Sequence, residues 1–69
     1  MELSSRNQLR ATVVEVKLGG IMAEVTMRLV GGDELVAAIT RSSAERLGLK
    51  AGAQVTALIK ATEVMVARD

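Results

Sequence analysis

Sixty-nine residues and 7.3 kDa make one small domain spanning residues 1–69, and the absence of Cys and His excludes disulfides, Cys/His zinc sites, Cys or His nucleophiles and His-ligated haem. Phe, Tyr and Trp are absent too, which removes the stacking platform of most single-strand nucleic-acid binders. Nine Lys and Arg against eight Asp and Glu leave a formal charge of +1, too little to hold a polyanion by bulk field, so any anion must be held by a local set of donors.

The pattern along the chain is mostly period two. Residues 9–17 are rich in β-branched side chains (Thr12, Val13, Val14, Val16), and Gly19-Gly20 ends the run with a turn signal. Ile21, Ala23, Val25, Met27 and Leu29 then alternate with Glu24, Thr26 and Arg28, the mark of a half-buried strand. Gly31-Gly32-Asp33 is too short a link for anything but an antiparallel hairpin, and residues 34–40 form the third strand. The period changes at Ser42: Ser42-Ser43-Ala44-Glu45 fits a capping box, and Gly48 stops a helix of one or two turns. Lys50-Ala51-Gly52 is a turn, residues 54–60 a fourth strand and residues 63–67 a fifth. The expected fold is all-β, a five-stranded OB-like barrel with one short helix between strands three and four.

Hydrophobic residues make up 49% of the chain and mean hydropathy is +0.30, values that exclude a disordered tail. The longest apolar runs, such as residues 36–39, fall far short of a membrane span, and residues 1–9 lack a signal-peptide core. A soluble, cytoplasmic protein without membrane contact is expected. Mass scaling gives roughly 6,400 Å² buried on folding, worth about 95 kcal/mol if some 60% is apolar. Ordering the chain costs about 100 kcal/mol. With no disulfide, metal or aromatic to enlarge the core, oligomerisation is expected to supply the missing burial.

Three polar clusters lie at expected strand ends or loops, where binding groups are displayed. Ser4-Ser5-Arg6-Asn7 precedes the first strand, Thr40-Arg41-Ser42-Ser43 leads into the helix N-terminus, and Lys60-Ala61-Thr62 joins strands four and five. All three lack carboxylates. Each has a plain structural reading as well: a frayed terminus, a pair of helix caps, and a charge that blunts a sheet edge. Their combination is what points to an anion. Glu15, Glu24, Glu34 and Glu63 mostly take outward strand positions with no His, Cys or Tyr beside them, Asp33-Glu34 is turn chemistry, and no phosphate-loop or dinucleotide fingerprint follows a strand. Catalysis and an organic cofactor are therefore not expected.

The ordered set SSRNQL (residues 4–9), VAAIT ending at Thr40, SAERLGLKAG (residues 43–52) and VTALIKATEVMVA (residues 55–67) resembles the Mop domain of the molbindins, small molybdate-binding proteins. That module recurs as the TOBE domain of molybdate-transport ATPases and in a molybdate-responsive transcription regulator. The resemblance implies an OB-like barrel assembled as a homohexamer, a trimer of dimers, storing or buffering molybdate or tungstate at subunit interfaces. Residue by residue it places the main oxyanion site on Ser4, Arg6, Asn7, Thr40, Ser43, Lys60, Ala61 and Thr62. A second site, built from backbone amides, falls on Gly19, Gly20 and Ile21. The chemistry is consistent: a tetrahedral dianion only accepts hydrogen bonds, and Arg6 with Lys60 supplies two positive charges for two negative ones. A stretch ending in LGLKAG also resembles the swapped-hairpin transition regulators that bind operator DNA. A net charge of +1, with Arg residues scattered from Arg6 to Arg68, argues against that alternative.

Overall fold

Alternation of apolar and polar side chains builds most of the sheet. The computed structural model describes residues 2–69. It contains β1 (Asn7–Leu18), β2 (Met22–Leu29), β3 (Glu34–Thr40), α1 (Arg41–Arg46) and β4 (Gln54–Ile59), followed by a single 3-10 turn, Ala61–Glu63. All pairings are antiparallel, and the strands run in the order β3-β2-β1-β4. Ala23, Val25 and Met27 of β2 are buried, with Leu29 half-buried behind them. Ile21, expected in the same inward row, sits before the strand and is largely exposed. Leu35, Ala37 and Ile39 of β3 and Val55 and Ala57 of β4 complete the inward face.

The long strand β1 serves two partners. Residues 7–12 pair with β4, and residues 11–18 pair with β2. Val14 is the extra residue of a bulge, since Val13 faces Met27 and Glu15 faces Thr26. The bulge shifts the inward phase: Ala11 and Val13 are buried before it, while Val14 and Val16 are the half-buried positions after it. It also bends the strand, and the sheet curls until β3 and β4 line opposite sides of one apolar groove.

Turns follow the glycines. Gly32 (φ 102°) lets Leu29 N–H reach Asp33 O at 2.7 Å and closes the β2-β3 hairpin. Gly19 is needed for a different reason: a Cβ there would lie 2.9 Å from Met22 O. The helix begins one residue after β3 ends. Its N-cap is Thr40, not Ser42, because Thr40 has extended backbone (φ −70°, ψ 147°) and its Oγ1 accepts from Ser43 N–H at 3.1 Å. Glu45, expected to reach back in a capping box, instead takes Arg41 Nε at 3.5 Å.

The expected fifth strand is not formed within the chain. Residues 61–63 make the 3-10 turn, and residues 64–69 join no ladder. A strand exists only in relation to a neighbour that satisfies its N–H and C=O groups, and none is offered to this segment. The all-β class stands, as a curled half-barrel with four strands among the described residues. Among the described residues no helix is long and apolar enough to cross a membrane. The largest fully buried side chains are Val13 and Val25, a small core for a chain with no aromatics.

Candidate oxyanion-binding site

The β1-β4 ladder brings the first and third polar clusters to one corner. Asn7 opens β1 opposite Ile59, the last residue of β4. Its Nδ2 donates to Ile59 O at 3.1 Å, and Ser5 Oγ donates to the same carbonyl at 3.3 Å. Gln8 Nε2 donates to Ser5 O at 2.8 Å and stiffens the approach to the strand. Residues 4–7 are thereby held beside Lys60 and the turn that follows it. Asn7 keeps its second amide hydrogen for a ligand. Ala61 and Thr62 open the 3-10 turn, whose first amides have no partner inside it. Arg6 and Lys60 are exposed, and neither belongs to an ion pair among the described residues. Glu63, the carboxylate next in sequence, lines the apolar groove.

The second cluster is assembled at the β3-α1 junction. Thr40 Oγ1 donates to Ser43 Oγ at 2.7 Å while accepting from Ser43 N–H. Ser42 Oγ lies 3.4 Å from Thr40 Oγ1, and with the Thr40 proton committed to Ser43, Ser42 is the donor of that pair. Arg46 Nη2 donates to Ser43 Oγ at 3.4 Å. Ser43 Oγ thus accepts twice, and its own hydrogen is left for an acceptor brought from outside. A guanidinium one turn along the helix adds positive charge at the same place. Arg46 stood outside every cluster chosen from sequence; its i, i+3 spacing from Ser43 is the signal that could have found it.

Gly19, Gly20 and Ile21 lie at this same end of the sheet. Thr40 pairs with Met22 across β3 and β2, Arg41 N–H donates to Ile21 O at 2.7 Å, and Arg41 Nη1 donates to Gly19 O at 3.1 Å. Gly19 N–H is already given to Met22 O at 2.7 Å. The amides of Gly20 and Ile21 donate to no backbone carbonyl among the described residues.

One chain therefore divides the expected site between two corners. Ser4, Arg6, Asn7, Lys60, Ala61 and Thr62 sit where β1 begins, whereas Thr40 and Ser43 sit where β3 ends, beside the β1-β2 turn. No hydrogen bond or ladder pair joins the two corners among the described residues. Both corners present hydroxyls, amides and cations, and both are open to solvent. Each could offer a few hydrogen bonds to an oxyanion; neither alone encloses one.

Comparison with known proteins gives the arrangement its family. A family model described as the TOBE domain matches residues 3–66. Molybdenum-pterin-binding protein 1 of Clostridium pasteurianum is 47% identical over 66 residues, covering 96% of this chain and 97% of that protein. The solved structure of a molybdate-binding protein from Sporomusa ovata superposes with a TM-score of 0.92 at 50% identity, covering 99% of this chain and all of that one. The cytoplasmic molybdate-binding protein ModG, solved with molybdate bound, gives 0.85 at 44% identity over 88% of this chain and 43% of its own.

Proposed function

This chain belongs to the TOBE domain family, a family of binding domains and not of enzymes, and we propose that it binds molybdate, with tungstate as the alternative cargo. Its role in this reading is storage or buffering in the cytoplasm, as one domain over residues 1–69, in an assembly of like copies built as a trimer of dimers. The observation that carries the proposal is the pair of donor-rich corners, with Arg6 and Lys60 outside every ion pair among the described residues in one and a spare Ser43 hydroxyl hydrogen beside Arg46 in the other.

The split supports a site shared between copies. A dianion held at a water-exposed corner gains little, because solvent screens the charge and competes for every donor. Two corners closed on each other exclude that water. Charge-assisted hydrogen bonds contribute about 1.5–3 kcal/mol each, so six or seven donors reach micromolar affinity after association costs. The barrel in this reading is five-stranded once copies associate. The relatives named for molybdate support the choice of ligand.

Isothermal titration against molybdate, tungstate and sulfate tests the proposal. Saturable micromolar binding of molybdate and tungstate is expected, with phosphate competing poorly at neutral pH because its protonated form brings a donor to a site made of donors. Absence of heat with both metal oxyanions would remove the function assigned here.

A further inference from the structure

Arg41 is the one half-buried cation of the nine; the other eight are exposed. It stands in the first turn of α1, where a positive charge opposes the helix dipole and where no acidic residue is present. The position is unfavourable for the helix, and the donors of Arg41 go mainly to the β1-β2 turn. Its backbone N–H donates to Ile21 O at 2.7 Å, and Nη1 donates to Gly19 O at 3.1 Å. Nε, 3.5 Å from Glu45 Oε2, fixes the guanidinium plane from the other side.

The effect on the turn is electrostatic as well as mechanical. Bare carbonyl oxygens repel an oxyanion, whereas bare amides attract it. With Gly19 O and Ile21 O both taken by Arg41, and Gly19 N–H given to Met22 O, the N–H groups of Gly20 and Ile21 remain. They donate to no backbone carbonyl among the described residues. Beyond its chain neighbours, nothing lies within 4 Å of the place a Cβ on Gly20 would take, so a ligand can come close to the backbone there.

We propose that Arg41 is a positioning residue for the oxyanion site. By holding the β1-β2 turn through two of its carbonyls, it keeps the N–H groups of Gly20 and Ile21 ordered and free for the anion that Thr40 and Ser43 receive. Arg41 itself does not touch the anion, because its guanidinium is already engaged by Glu45 and Gly19. The role needs a planar fork: a guanidinium reaches carboxylate and carbonyl together, whereas an ammonium is a single point that gives up one of them. The inference rests on the proposed oxyanion function and extends it to a residue outside the expected binding set.

Arg41→Lys, Arg41→Met and Glu45→Ala are compared with the native chain, first without anion and then with molybdate. Without anion, the 15N heteronuclear NOE of Gly20 and Ile21 should match strand values in the native chain and fall in both Arg41 variants. The remaining amides should keep their native shifts. Isothermal titration should then give about tenfold weaker molybdate binding in both Arg41 variants, the loss of one hydrogen bond to a charged group. Glu45→Ala, which removes only the partner that orients the guanidinium, should give a smaller loss in the same direction. A loosened turn with unchanged affinity would reduce Arg41 to a structural clamp and overturn the proposal. Affinity lost in Arg41→Met but kept in Arg41→Lys would overturn it too, since charge alone would then suffice. Should Arg41→Met fail to fold, Arg41→Lys and Glu45→Ala decide. Native binding with unaffected variants removes the role of Arg41 alone; a native chain that does not bind molybdate removes the oxyanion function and this role with it.

Discussion

Thr40 serves two elements at once. It ends β3 with extended backbone, caps α1 through Ser43 N–H, and fixes the Ser43 hydroxyl. Replacing it with Ala should cost about 1 kcal/mol of stability, and Ser should restore most of it, as read by urea unfolding. The cations act on ligand and not on fold. Both Lys60 and Arg6 are exposed and make no ion pair among the described residues, so Lys60→Ala and Arg6→Ala should leave the apo melting temperature nearly unchanged. Each should sharply reduce the rise in melting temperature that molybdate produces in the native chain. Equal rises in all three proteins would remove both residues from the site. The donor chemistry of these residues is legible in sequence, because hydroxyl, amide, guanidinium and ammonium groups keep their character in any fold. The box spacing of Ser42 and Glu45 points to a cap two residues beyond the true one, and only the backbone angle of Thr40 decides between the two. Arg46 was invisible for a related reason: its partner is set by helix phase, which depends on where the cap falls.

Among the elements, β2 was readable because its alternation is unbroken from Ala23 to Leu29 and each inward position is occupied by an apolar side chain. In β1 the run Val13-Val14 conceals a change of phase, which appears only when the strand is laid against β2. That bulge supports a sharp expectation. Deleting Val14 restores a regular ladder in which Glu15 still faces Thr26 and Val16 still faces Val25, so each side chain keeps its face and only the bend of the bulge is lost. The deleted chain should still give a dispersed amide NMR spectrum, with large shift changes in β3 and β4 as the sheet opens; a spectrum unchanged in those strands would show that the curl does not depend on the bulge. The segment after β4 has the composition of a strand without being one in a single chain. Its residues state a preference for pairing, and the partner is a fact about the surroundings that one chain does not contain.

At the scale of the molecule, a small core stands beside a large apolar exterior. Ile21, Val30 and Leu47 are exposed along with the C-terminal run, and a curled sheet with two bare edges would otherwise invite uncontrolled association. Light scattering should give the mass of a hexamer, six times 7.3 kDa or about 44 kDa; a folded monomer at micromolar concentration would contradict it. The near-balance of burial against chain entropy is legible in length and composition alone. How copies share strands and sites is not, because a single sequence does not say which donor corner faces which. The most direct check is complementation between two defective chains. Lys60→Ala and Ser43→Ala, each weak in molybdate titration by itself, are unfolded together, refolded and titrated again. Corners that meet across copies rebuild some intact sites in the mixture, so tight molybdate binding should return; binding that stays at the level of the separate variants would place both corners in one chain and contradict a shared site.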